Sequence, residues 1–380
     1  MEYRKAERAG LDISALSFGC MRFADQESAV DAVRKAIELG VNYFDVAPAY
    51  GGGTAEPWLG QGIKGLRDKI ILTAKSSPGN GWDMPGEYNP KTGFGIRTAD
   101  QVRFMIDQSM EYLGVDHLDV YHLWSCHSEV VFNEAMKPGG FLEGVLKAKE
   151  EGLFDHIGFT GHVDNDTLIK VVDGFDFEMV TVPFHLLDTS RAQAIEYCAK
   201  KGIAVIAMNP LTGGIMAGNA SVLKKIAADN GLESMVEAAL RIIANFPGVT
   251  AALAGITYAD QAVLDAEIIS RGELSAECVS GIRSSIDELY ANAKHICTGC
   301  GYCGECKEGI KIPQVLDFYT NLSVAEFAPA AREELSKRMA EDPAGYNPSN
   351  CVACKECQSK CPNGFPISEM MAAASEKWPS

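Results

Sequence analysis

Eight short apolar, β-branched runs recur along the chain, and a helix-length segment separates most neighbours. They are ISALSFG (13–19), VNYFDV (41–46), KIILTAK (69–75), LDVYHLW (118–124), HIGFTG (156–161), MVTVPF (179–184), IAVIAMN (203–209) and VTAALAG (249–255). Runs of this kind, bounded by turn residues, read as strands covered on both faces of a parallel sheet. The intervening stretches are amphipathic, as in ESAVDAVRKAIELG (27–40), which ends on a C-capping glycine. Eight such units fit an α/β fold of the (β/α)8 TIM-barrel type, spanning residues 1–285. A doubly wound sheet is the alternative, but no G-x-G-x-x-G follows the first strand. After the third strand, SSPGNGWDMPGEYNPKTGFG (76–95) is long and rich in Gly, Pro and aromatics. It leaves the C-terminal face, where barrel active sites sit, and reads as a substrate-covering loop.

Residues 286–380 follow a different pattern. Cys297, Cys300, Cys303 and Cys306 form one run, and Cys351, Cys354, Cys357 and Cys361 before Pro362 form a second. The second run is C-x2-C-x2-C-x3-C-P, the bacterial ferredoxin spacing. Three thiolates three residues apart wrap one corner of a cubane, and a fourth comes from elsewhere. Zinc, which favours two separated C-x-x-C pairs, fits this nesting less well. The expectation is a mainly helical, ferredoxin-like segment with two 4Fe-4S clusters. Residues 275–295 read as a helix leading in, and 313–347 as helix that brings the two cysteine loops together. Which fourth cysteine serves which cluster stays open. Cys20, Cys126, Cys198 and Cys278 are isolated and read as small buried hydrophobes.

The formal net charge of −17 argues against nucleic acid or anionic membrane as partners. The N-terminus MEYRKAERAG lacks the apolar run of a signal peptide, and no apolar stretch approaches a bilayer span. A cytoplasmic protein is expected, in a compartment where clustered cysteines act as ligands.

The phrases MEYRKAERAGLDISALSFGCMRF, VNYFDVAPAYGGGTAEPWLGQGIK, KIILTAKS and AVIAMNPLTGG resemble the aldo-keto reductases over roughly residues 1–285. With its C-terminal cysteines, the chain resembles the iron–sulfur-containing branch of that superfamily. The resemblance implies an oxidoreductase acting on a small carbonyl or related unsaturated compound. It implies Tyr50 as general acid, Lys75 as the cation that stabilises its phenolate, and Asp45 as the carboxylate that orients Lys75. The family's histidine position falls on Trp124, and His122 lies two residues earlier on the same strand face. His122 reads either as a displaced catalytic group or as a core histidine, and His127 lies in the loop just beyond. Loss of that histidine removes an oxyanion donor. Trp124 offers one indole N–H and fills space.

For the coenzyme, the resemblance implies Gly19 and Met21 after the first strand, Thr160 and Gly161 after the fifth, Thr181 on the sixth and Met208 on the seventh. It adds the loop Asn209, Pro210, Leu211, Gly213 and Gly214, then Gly255, Thr257, Gln261 and Asp265 after the eighth strand. No arginine stands in that last loop to pair with a 2′-phosphate, so NAD(H) is favoured weakly over NADP(H). Hydride carries two electrons and a 4Fe-4S cluster takes one. A direct path between them calls for a converter such as a flavin. Three readings stand. In one, a redox barrel is wired through its clusters to a ferredoxin- or flavodoxin-like protein. In another, a nicotinamide reductase carries structural or sensing clusters. In the third, the chain is a non-catalytic electron-carrying or regulatory adaptor.

Overall fold

The computed structural model describes the chain apart from residues 82–83, 219–220, 290, 292–294, 298–302, 324–327, 362–363 and 379–380. Two compact units emerge: Met1–Pro210 with Leu240–Glu273, and Leu211–Ala239 with Leu274–Ser380.

The first unit begins with an antiparallel hairpin, β1 (Tyr3–Ala6) and β2 (Leu11–Ser14). Eight parallel strands then close a barrel: β3 (Leu16–Gly19), β4 (Tyr43–Asp45), β5 (Ile71–Ser76), β6 (Leu118–Leu123), β7 (Phe154–Thr160), β8 (Met179–Pro183), β9 (Ala204–Met208) and β10 (Ala251–Gly255). Each expected run thus yields a strand. The first yields parts of two, because the chain bends after Ser14. Its hydroxyl donates to Leu16 O at 2.6 Å, and its amide donates to Asn42 Oδ1 at 2.8 Å. Ala6 and Ile13 of the hairpin then pack with Tyr43, Ile71, Val120, Met179, Ile206 and Ala251, plugging the lower barrel with apolar side chains.

Helices return the chain between strands. Gln26–Glu38 is N-capped by Asp25 and buries Ala29, Ala32, Val33 and Ala36, the apolar stripe of its sequence. The long loop after β5 ends where Thr98 and Gln101 form a capping box on helix Ala99–Leu113. The described part of that loop is laced down. Ser77 N donates to Gly93 O (2.8 Å), Ile96 N to Ser77 O (3.0 Å) and Gly95 N to Gly79 O (2.9 Å).

The second unit is helical, with helices Ser221–Asp229, Ala276–Leu289, Ile312–Ser323, Ala328–Glu341 and Ile367–Lys377. The expected helical stretch 313–347 is two helices that pack together. Ile310, Ile312, Val315, Leu316, Ile367, Met370 and Met371 make a core, and cysteines of both runs pack against it. No helix among the described residues is long and apolar enough to cross a membrane.

Candidate active site and cysteine-lined cavity

Strand register assembles the first group. Asp45 ends β4, and Lys75 lies near the end of β5. The Lys75 ammonium donates to Asp45 Oδ1, with both side chains almost fully buried, at 2% and 3% exposure. Thr73 Oγ1 reaches Asp45 Oδ2 at 3.5 Å. Lys75 Nζ also sits 4.9 Å from the centre of the Tyr50 ring. Tyr50 opens the tight turn Tyr50–Gly53, five residues past Asp45. The structure therefore brings Asp45, Tyr50 and Lys75 together at the C-terminal mouth of the barrel. Burial, then the Asp45 carboxylate, then Cys20 hold the Tyr50 phenol well above its ordinary pKa. The phenol is therefore protonated at neutral pH, the form a proton donor needs. Cys20 was expected to be plain core. It is buried, but it lies within the electrostatic reach of Asp45 and Lys75.

Trp124 follows β6 and meets Tyr50 edge-on, with ring centres 5.8 Å apart at 90°. Phe94 from the long loop stacks on its other side at 4.4 Å and 21°. The indole is 3% exposed. Tyr50, Trp124 and Phe94 thus form a continuous aromatic wall, and the loop supplies part of it.

His122 is enclosed in the barrel interior. It pairs in register with Lys75 on one side and Gly158 on the other. Its Nε2 is hydrogen-bonded to Tyr43 Oη at 3.1 Å, and it is fully buried. Burial first, then Lys75, hold its pKa far below the usual value, so it is neutral. A Cβ at Gly158 would collide with the His122 ring, so that strand position requires glycine. His127, instead of reaching into the mouth, locks loops together. The His162 amide donates to His127 Nδ1 (2.8 Å), which leaves the ring proton on Nε2. Nε2 then donates to Ser125 Oγ (2.8 Å), and Ser125 Oγ donates to Gly81 O (3.2 Å). Burial pushes the His127 pKa down to about 4.

Most of the expected coenzyme positions in the first unit lie at C-terminal strand ends, while Thr181 lies within β8 and Gln261 and Asp265 lie on helix Ala259–Ser270. Gly19 ends β3, and Met21 follows it. Thr160 ends β7, and the Gly161 amide donates to Thr181 O on β8 at 3.3 Å. Met208 ends β9 and is half-buried. Asn209 follows in a left-handed conformation (φ 63°), then Pro210. Gly255 ends β10. The Thr257 amide donates to Gln261 Oε1 at 2.8 Å. Asp265 is buried, and burial pushes its carboxyl up to about 7. Leu211, Gly213 and Gly214 belong to the second unit, where Gly213 and Gly214 take left-handed conformations. His185, after β8, carries a buried Nδ1 with no hydrogen-bond partner. A buried orphan atom beside strand ends rich in backbone groups fits a polar ligand.

The second group is a cavity in the helical unit. Cys303, Cys306, Cys351, Cys354 and Cys357 line it, with Ile310, Ile312 and Met371 behind them. Cys303 and Cys306 of the first run thus line the same cavity as Cys351, Cys354 and Cys357 of the second. Lys307 is ion-paired with Glu356 and ties the two loops. Cys297 and Cys361 pack against the same core, and Cys300 lies outside the described residues. Burial, then Cys351 and Cys354, raise the Cys357 thiol to about 11. A donor set of soft thiolates that repel one another suits a cationic iron–sulfur cluster.

The family model described as the aldo/keto reductase family matches residues 15–287. The chain belongs to this family. A second model, a 4Fe-4S dicluster domain, matches residues 296–366. Among relatives, an L-galactose dehydrogenase of Arabidopsis thaliana is 31% identical over 230 residues, covering 57% of this chain and 67% of that protein. An NADH-specific methylglyoxal reductase of Escherichia coli is 24% identical over 200 residues, covering 51% and 60%. The holo form of an aldo-keto reductase from Bacillus halodurans superposes with a TM-score of 0.62 at 20% identity, covering 75% of this chain and 96% of that one. The chain is thus an oxidoreductase of aldo-keto reductase type with an iron–sulfur dicluster segment. Sequence reasoning missed Phe94 and Cys20 at this mouth. The aromatic richness of the long loop was the one signal for Phe94.

Proposed function

We propose that the barrel reduces a small carbonyl or related unsaturated compound at Asp45, Tyr50, Lys75 and Trp124. The observation that carries this is Lys75 held between the Asp45 carboxylate and the Tyr50 ring at the barrel mouth. Asp45 keeps Lys75 pointed at the Tyr50 ring. The ammonium favours phenolate, so Tyr50 releases its proton to the carbonyl oxygen as negative charge develops there. Trp124 donates its indole N–H to the same oxygen, in place of the histidine common in the family. The aromatic wall excludes water and favours a flat, weakly polar substrate. Neutral His122, register-paired with Lys75 and hydrogen-bonded to Tyr43, would help position that lysine.

A nicotinamide dinucleotide supplies hydride when bound. Gly19, Met21, Thr160, Gly161, Thr181, Met208, Asn209, Pro210, Gly255, Thr257, Gln261 and Asp265 of the first unit would hold it. For the clusters, Cys351, Cys354 and Cys357 with Cys306 would hold one, and Cys297, Cys300 and Cys303 with Cys361 the other. This exchange of fourth ligands follows the two-cluster ferredoxin rule. In the wired reading the clusters would take single electrons from a ferredoxin- or flavodoxin-like carrier and hand them on, through a flavin as converter, to the two-electron reduction in the barrel. The packing of the cysteines into the helical core favours a second reading, in which the clusters hold that unit together.

An anaerobic titration with NADH and then NADPH separates the two. Bleaching of the iron–sulfur absorbance means that nicotinamide and clusters are wired. Coenzyme binding seen by fluorescence without bleaching, with or without substrate, means that the clusters are structural or fed separately. Turnover of small aldehydes and ketones that survives Tyr50→Phe would sink the catalytic assignment.

A further inference from the structure

The rim of the barrel contains a cation that the linear sequence hides. Thr257 Oγ1, in the loop after β10, donates to Arg22 O at 2.9 Å, across a sequence separation of 235 residues. The same loop starts at Gly255. A Cβ there would lie 3.2 Å from Arg22 Cγ, so the aliphatic stem of Arg22 runs over this glycine. Closure of the barrel explains the meeting, since β3 and β10 are hydrogen-bonded neighbours with Gly19 opposite Gly255. Arg22 is exposed, and between Gly255 and Ser270 there is no lysine or arginine, while Asp260, Asp265 and Glu267 are present. In barrels of this class, phosphates gather at the loops after the seventh and eighth strands. A guanidinium binds phosphate oxygens in a bidentate fork. On a chain of net charge −17, a dianionic ligand reaching this loop needs a local cation.

We propose that Arg22 is a phosphate-binding residue of the dinucleotide site, delivered to the loop after β10 from the far end of the barrel sequence. This rests on the coenzyme reading above. It also removes the reason for favouring NAD(H), because the arginine absent from the loop in sequence is supplied by the neighbouring strand end.

The test is Arg22→Gln and Arg22→Lys in the full-length, cluster-loaded protein, with NADH and NADPH dissociation constants read by nucleotide fluorescence at low and high salt. Arg22→Gln should weaken binding roughly tenfold or more, in line with a lost charged hydrogen bond. It should also flatten the salt dependence and leave the urea midpoint unchanged. Arg22→Lys should restore part of the affinity. Weakening confined to NADPH assigns the 2′-phosphate, and equal weakening of both nucleotides assigns the diphosphate. Wild-type binding with Arg22→Gln within twofold for both nucleotides overturns this proposal alone. A wild type that binds neither nucleotide overturns the coenzyme reading and this proposal with it.

Discussion

At the barrel mouth, Asp45 and Lys75 meet on adjacent, hydrogen-bonded strands. In the helical unit, Cys351 and Cys354 on a loop and Cys357 on the short helix Glu356–Ser359 line one cavity with Cys303 and Cys306. The backbone accounts for the difference. Asp45 and Lys75 inherit their positions from ladder hydrogen bonds, so their geometry is fixed before any substrate arrives. The second cysteine loop bends through Ala353 (φ 54°) and Lys355 (φ 63°), left-handed conformations that cost a non-glycine residue about 1 kcal/mol or more. Such residues persist where the surroundings over-determine them. The first site is organised by folding itself, whereas the second fits one in which cluster insertion and folding are coupled.

Several changes would break or sharpen this contrast. The largest effect is expected at Tyr50. Tyr50→Phe should lower kcat by about 10²–10⁴, the worth of a positioned general acid. Iron content and the cluster absorbance should not change. A parallel loss of iron would show that the two sites are not independent.

Next come the cysteines. Cys306→Ser and Cys354→Ser should each abolish the same cluster, leaving about half of the roughly eight irons that two such clusters hold. Cys361→Ser should abolish the other. Iron analysis and low-temperature EPR of the single and paired variants check this. If Cys361→Ser matched Cys354→Ser instead, with Cys306→Ser abolishing the other cluster, each run would hold its own cluster.

Lys75→Met comes third, because it strands the Asp45 carboxylate in the barrel interior. A loss of about 3–5 kcal/mol in urea unfolding is expected, as when one member of a buried pair is removed. Asp45→Asn combined with Lys75→Met should recover much of it.

The smallest effect depends on pH. Burial raises Glu56, 2% exposed on helix Ala55–Ile63, from the ordinary 4.5 to about 7. A carboxyl whose folded pKa is raised favours the folded state below about pH 4.5. That contribution fades as pH rises towards 7. Glu56→Gln should therefore stabilise the protein at pH 8 by up to about 3 kcal/mol and leave it unchanged at pH 4. A pH-independent difference would place the carboxyl in water.

The barrel was legible because β-branched runs and amphipathic segments alternate with regular punctuation, and each unit is local in sequence. Both cysteine runs were legible for the same reason, since ligand spacing is itself a local pattern. His122 illustrates what was not legible. Period two put it on the interior face, but only the partners Tyr43 and Gly158 show that it is a hydrogen-bonded, fully enclosed group of the barrel interior. Phe94 was hidden because its partner Trp124 lies 30 residues away, and a loop carries no periodicity to orient a side chain.

The sequence by itself determined the eight strands, the two cysteine runs and the candidates Asp45, Tyr50, Lys75 and Trp124, all properties carried by neighbouring residues. Only the tertiary structure decided that Phe94 completes an aromatic wall, that His127 locks three loops and that cysteines of both runs line one cavity. It alone laid Arg22 against the loop after β10. These contacts exist because barrel closure and core packing bring together segments that are tens to hundreds of residues apart. No local pattern encodes that distance.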